Sequence, residues 1–217
     1  MASKTKKVKT LKPKKVSAGA RKDSIIEAAG RLFAKKGFKG TTTRAIAEEV
    51  GVSEAMIFKY FKKKDDLFKA IIDRCCNDSS GRFLIEKEMD GKSGKEALRA
   101  MALFMMKRYA EDSSFARLLL YSALERQKFS EIFLKSRGME MLNAISGIIQ
   151  GMAASGDIKK TDPMLASRAF LGMIAHYSMM QEIFGFKSMF KRPLNEVADA
   201  FVDIFLNGMS RAGRAGG

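Results

Sequence analysis

The sequence of 217 residues has no Trp, one His, two Cys and three Pro. Each scarcity removes a class of reading. Two cysteines cannot build a disulfide framework or a zinc ligand set, and these two, Cys75 and Cys76, are neighbours. Adjacent residues on a helix point about 100° apart, so a bridge between them would need distortion. They are expected as reduced thiols, packed or half-exposed, which fits a reducing intracellular compartment; redox or soft-metal sensing is the alternative reading. There is a single imidazole, His176, and no nucleophile motif, metal spacing or Gly-rich phosphate loop before a helix. No enzyme, cofactor or metal site is therefore expected. No apolar run follows the basic N-terminus, so it does not read as a signal peptide. No stretch reaches the roughly 18 apolar residues of a membrane span, so membrane insertion is not expected. Few prolines let long helices run, and Leu, Ile, Met, Ala and Phe outnumber Val and Thr. No segment of useful length has strand periodicity and no internal repeat occurs. The expected fold is all-α, in a chain long enough to bury a sizeable core.

Positive charge is plentiful. The net charge is +16; residues 1–22 hold nine of the 40 Lys and Arg and no acid, leaving 31 basic against 24 acidic residues, or +7, on the remainder. Such a balance suggests a polyanionic partner, nucleic acid before membrane. Residues 1–20 read as a disordered basic arm, able to lie along phosphates or reach into a minor groove. The tail at 212–217 also reads as disordered.

A first helix is expected over Lys22–Lys36, with Ile25, Ile26, Ala29, Leu32 and Phe33 as its apolar stripe, Gly37 as its stop and Phe38 packing back over the last turn. The stretch Thr42–Lys64 organises the rest. Thr42 caps a short helix with Ile46, Ala47 and Val50 on one face; Gly51 allows positive φ at its end; Ser53 caps a second helix through Phe61. Ile57 and Phe61 share the inner face of that helix, leaving Glu54, Ala55, Phe58, Lys59 and Lys62 outside. A short helix with a buried stripe behind and a basic, mixed front has the shape that enters a DNA major groove.

Downstream, Asp65 and Asp66 start a helix that the pattern carries to about Lys87, with Leu67, Phe68, Ile71 and Ile72 inward. Ser93 and Glu96 read as a capping box for a helix to about Tyr109. Further helices are expected over Ser114–Gln127, Ser130–Ala154, from Asp162-Pro163 to about Phe184, and from Pro193 to about Met209. The domains expected are an arm (1–20), a helix-turn-helix head (21–68), a helical body (69–211) and a tail (212–217).

The run from Ala28 to Phe68 closely resembles the TetR family of bacterial transcriptional repressors. Phe33, Gly37, Phe38, Thr41, Thr42, Ile46, Ala47, Gly51, Val52, Ser53, Phe61, Lys64 and Leu67 meet the family's spacing, and GDIKKTDPMLASRAFLGMI looks like the start of its penultimate helix. The resemblance implies a three-helix DNA-binding head on a variable helical body that dimerises and often holds an apolar ligand pocket. Two departures stand out. Ala55 replaces a common glycine, and Phe58 stands where many members have a Tyr whose hydroxyl contacts phosphate.

In such a head, Glu54, Ala55, Met56 and Lys59 are the candidates to read bases: Lys59 as donor to guanine, Glu54 as acceptor from cytosine, Ala55 and Met56 against thymine methyls. Thr42, Thr43, Ser53 and Lys64 are candidates for phosphate, with Arg44 and Lys63 behind them. The partner is a double-stranded, near-palindromic operator bound by a homodimer, because one head reads too little sequence to be selective. The last two helices, apolar on two sides, are the expected interface, with Phe170, Ile174, Phe201 and Phe205 as contacts. The body is rich in Met, a residue as suited to adaptable core as to an apolar lining. Met101, Met105, Met173 and Met180, with Arg117, Tyr121, His176, Tyr177 and Gln181, are the candidates to line a pocket for a small hydrophobic effector. The expected function is a ligand-released, cytoplasmic, nucleoid-associated repressor. A non-specific architectural nucleic-acid binder is the competing reading, marked by a steep salt slope without sequence preference.

Overall fold

The computed structural model describes residues 17–77 and 84–209. Most of the expected arm and the expected tail lie outside the described residues. Within them the chain runs through α1 (Ala18–Lys36), α2 (Thr43–Val50), α3 (Glu54–Tyr60), α4 (Lys64–Cys76), α5 (Leu84–Met89), α6 (Gly94–Glu111), α7 (Ser114–Leu124), α8 (Lys128–Phe133), α9 (Met139–Ser155), α10 (Pro163–Glu182) and α11 (Leu194–Gly208). A π-turn over Leu134–Gly138 joins α8 to α9, and a 3-10 turn over Phe186–Ser188 precedes α11. No β-strand occurs among the described residues.

The start of α1 differs from expectation. Ser17 accepts from the Ala20 amide at 3.2 Å, so the helix begins at Ala18, and 18–20 belong to it and not to the arm. Thr42 caps α2 as expected, accepting from the Ala45 amide at 3.1 Å. Gly51 closes it at φ 68° and ψ 36°, with the Val52 amide turned back to the Ala47 carbonyl at 3.0 Å. Ser53 and Ser93 do not cap through their side chains. Backbone bonds close those turns instead, Met56 to Ser53 at 2.9 Å and Glu96 to Ser93 at 3.2 Å.

The helix expected to reach Lys87 stops at Cys76, because Asn77 is extended (φ −109°, ψ 154°); Gly81 lies outside the described residues. The helix expected to reach Gln127 stops at Leu124. Buried Ser122 staples that turn, donating to the Gln127 carbonyl and accepting from the Ser130 amide, both at 2.8 Å. The start at Asp162-Pro163 stands: Asp162 accepts from the Met164 and Leu165 amides at 2.9 and 3.0 Å.

In the body α6 is central. It carries α10 and α11 on its flanks, α10 lies in turn on α9, and α5 packs against α6. The head is seated on the body through α1 against α7 and α4 against α8. The expected boundary at 68/69 therefore falls inside α4, which belongs to both parts. Six rings make the joint. Phe33 stacks on Phe38 (centroids 4.8 Å apart), Phe68 stands edge-on to Phe38 at 4.9 Å and to Phe129 at 5.6 Å, and Phe115 links Phe129 (5.8 Å) to Phe133 (5.3 Å). Beside them Glu125 of the body accepts from the Lys39 amide at 3.0 Å. Gly37 (φ 71°) permits this approach, since a Cβ there would stand 2.5 Å from the Glu125 carboxylate.

Candidate nucleic-acid interface and body cavity

The recognition face is built by α2 and α3. Ile46, Ala47, Ile57 and Phe61 are all buried, each large apolar side chain among them contributing about 1.5–3 kcal/mol by leaving water. Their burial fixes which side of α3 faces out. Glu54, Ala55, Phe58 and Lys59 are exposed, Phe58 at 50%, while Met56 is half-buried. Lys59 and Lys62 have no hydrogen-bond or ion-pair partner among the described residues, so both ammonium groups are available.

The phosphate candidates are not equivalent. Thr42 and Ser53 are exposed at the starts of α2 and α3. The Thr43 hydroxyl donates to the Glu54 carboxylate, tying the two helices together and orienting Glu54. Arg44 pairs with Glu48 at 3.0 Å, an exposed contact that is easily exchanged. Lys63 is exposed, its amide bonded to Asp66 at 3.2 Å. Lys64 is engaged elsewhere. Its ammonium donates to the Phe38 carbonyl at 3.3 Å and stands 5.4, 5.5 and 5.6 Å from the Phe33, Phe38 and Phe68 ring centroids. Burial lowers its pKa, opposed by the nearby Glu125 charge. Lys64 thus contacts the joint between head and body while remaining exposed.

Among α4 to α10, each of which contributes to its lining, the body holds a cavity of about 280 Å³. Its apolar wall comes from Phe104, Met105, Phe115, Leu119, Phe133 and Leu171, with Arg108, Tyr109 and Asp112 supplying polarity on one side. Arg108 donates to the Cys75 carbonyl at 3.2 Å and is exposed, without an ion-pair partner among the described residues. Of the expected lining, Met105 is present. Met101 is fully buried in the core instead, and Arg117, Tyr121, Met173, His176 and Met180 line neither this cavity nor the second one described below. Tyr177 and Gln181 line a different, more polar cavity. The reason is rotational. His176 lies on the exposed side of α10, whereas Leu171 and Ala175 face inward. In the sequence the cavity's polar side shows as Arg108 and Tyr109, just after the apolar run 101–106 of α6.

The interface expectation also changes. Phe170, Ile174 and Phe205 are buried in their own chain, with Phe170 against Phe205 at 5.0 Å, and Phe201 packs edge-on to Tyr177 at 5.4 Å. Phe170, Ile174 and Phe205 belong to the chain's own core, and Phe201 packs against it. The outward apolar side chains on α10 and α11 are Leu165 and Ile204, 66% and 62% exposed.

Cys75 is half-buried and Cys76 buried, both free thiols. Burial pushes the Cys76 thiol up to about 12, with Cys75 reinforcing the shift and Arg137 and Arg108 opposing it. Cys76 should thus resist alkylation at pH ~8 until the chain unfolds, as read by mass spectrometry. A raised folded pKa stabilises below the unfolded value of 9.0 and loses that stability as pH rises towards about 12. Urea melts should lose on the order of 2 kcal/mol from this group by pH ~10.5, a component absent in Cys76→Ala.

The fold and the exposed α3 define a helix-turn-helix DNA-binding regulator with a hollow helical body. The profile of bacterial regulatory proteins of the tetR family matches residues 25–71, and that of the AefR-like transcriptional repressor C-terminal domain matches 95–208. The chain belongs to the TetR family of transcriptional regulators. It is 30% identical over 159 residues to the fatty acid metabolism regulator protein of Bacillus subtilis strain 168, covering 69% of this chain and 77% of that one. It is 32% identical over 118 residues to the uncharacterised regulator YerO of the same organism, covering 53% of this chain but 41% of YerO, so it spans less than half the length of that relative. Among solved structures, AibR in complex with isovaleryl coenzyme A and operator DNA superposes with a TM-score of 0.65 at 20% identity, covering 85% of this chain and 97% of that one. PfmR of Thermus thermophilus superposes at 0.61 with 25% identity, covering 86% and 99%. No helix among the described residues is long and apolar enough to cross a membrane.

Proposed function

We propose that the chain is a repressor that binds a near-palindromic operator as a homodimer in the cytoplasm, at the nucleoid, and is released by a small hydrophobic effector held in the body cavity. The exposed face of α3 reads the bases, through Lys59 and Glu54 with Ala55 and Met56. Thr42, Ser53 and Lys63 set its register on phosphates, and Phe58 packs against sugar or a thymine methyl. The dimer forms through the outward faces of α10 and α11, around Leu165 and Ile204.

The observation that carries the effector half is the cavity's place. Phe115 and Phe133 line it, and both touch or lead to Phe129, which meets Phe68 on α4. A ligand that favours one packing of these rings favours one setting of α4, and hence one spacing of the two recognition helices. Coupling is reciprocal, so DNA weakens ligand binding by the same factor. A lining that is mostly apolar, with Arg108 at one side, suits an acyl chain with an acidic head. The name of the B. subtilis relative and the acyl coenzyme A held by AibR agree with that choice.

Ala175→Phe, which fills the cavity from α10, tests it. A fluorescent fatty acid should bind at least about tenfold more weakly, while operator affinity stays within about threefold and becomes insensitive to the fatty acid. Operator binding that still responds to the fatty acid in the filled variant would contradict the assignment.

A further inference from the structure

A second cavity, of about 270 Å³, lies on another face of α6, closed by α10 and the segment leading into α11. Its floor is polar and unsatisfied. Ser178 and Gln181 are 3% and 8% exposed, and the Ser178 Oγ and Gln181 Oε1 atoms lack hydrogen-bond partners among the described residues. The Gln181 amide is held in one orientation because its Nε2 donates to the Phe190 carbonyl at 2.9 Å, which leaves Oε1 as an acceptor in want of a donor. Buried polar atoms are nearly always paired, and an unpaired one is costly. The mouth is cationic, with Lys187, Lys191 and Arg192 against one acid, Glu182. Lys187 is bound to Glu182 at 2.9 and 3.2 Å. Lys191 and Arg192 have no ion-pair partner among the described residues.

We propose that this cavity binds a small hydroxylated oxyanion. The floor needs a donor for Gln181 Oε1 and an acceptor for the Ser178 hydroxyl. An ammonium donor would be repelled by the mouth, so the donor is a ligand hydroxyl. An oxyanion on the same molecule meets Lys191 and Arg192. Hydroxycarboxylates and phosphomonoesters share this chemistry. The apolar cavity has a cation in Arg108 but no unpaired buried polar atom among its lining residues, so the second site takes a different ligand and does not depend on the acyl reading.

Calorimetry and thermal melts of the full chain, without DNA, test the site with glycerate and with glycerol phosphate. Sulfate supplies charge without a hydroxyl, and glycerol hydroxyls without charge. One or both hydroxylated anions should saturate one site per chain and raise Tm, and the tighter of the two identifies the anionic group. Sulfate and glycerol should not saturate at the same concentrations. Ser178→Ala and Arg192→Gln should each weaken binding about tenfold. Ser178→Ala should also raise the ligand-free Tm, because it deletes an unpaired hydroxyl. The proposal is overturned if neither anion saturates, if sulfate binds as tightly, or if Ser178→Ala lowers the ligand-free Tm.

Discussion

Phe68→Ala should lower the unfolding free energy by about 3–5 kcal/mol, the largest stability loss expected of a single substitution here. Phe68 is 1% exposed and packs against Phe33 at 5.7 Å, Phe38 at 4.9 Å and Phe129 at 5.6 Å. Two of those rings belong to the head and one to the body, so the cavity left behind cannot close without separating the two. Lys64, whose ammonium stands over the same cluster, loses an aromatic face as well. Urea denaturation followed by circular dichroism reads the effect. Phe68→Leu, which keeps most of the volume, should cost less than about 1.5 kcal/mol. A loss below about 1 kcal/mol for the alanine variant would mean that head and body are not held by this cluster.

Lys59→Ala should weaken operator binding by about 1–3 kcal/mol for each half-site, once per recognition helix of a dimer. Lys59 stands on the exposed side of a helix whose other side is pinned by Ile57 and Phe61. Its reach to a base is therefore set by the fold and not by a flexible loop. The loss should appear on selected duplexes and be much smaller on scrambled ones, as fluorescence anisotropy at fixed salt would show. Lys63→Ala should behave differently, weakening both duplexes alike and reducing the salt slope by about one per contact. Equal losses on both duplexes for Lys59→Ala would reassign it to phosphate.

The head was more legible in the sequence than the body, for a physical reason. Its local devices are short-range: the Thr42 cap, the positive φ of Gly51 and the four-residue spacing of Ile57 and Phe61 are each settled within one turn of chain. Side-chain caps are absent where the backbone closes the turn alone, at Ser53 and Ser93, and one occurs at Ser17, ahead of the apolar stripe of α1. In the body the helices were found and their rotations were not. α10 carries apolar residues on several sides, so periodicity could not say that Phe170 and Ile174 are buried while Leu165 is exposed. The cavity was hidden for a similar cause. Its lining comes from seven helices, spread from Cys75 to Ala175, and Met-richness marked core positions such as Met101 as readily as wall positions such as Met105. The contact of Lys64 with Phe33, Phe38 and Phe68 was not legible for a long-range reason: those rings converge only in the folded chain.

Pairwise sequence reading by α3 is read out by selecting duplexes from a random pool with the full chain. Affinity and stoichiometry on the winner and on its scrambled counterpart are then measured at one salt concentration. The winner should be near-palindromic and bind a dimer about 10³-fold or more tightly than the scrambled duplex. Equal affinities with the same steep salt dependence would contradict it and make the chain an architectural nucleic-acid binder.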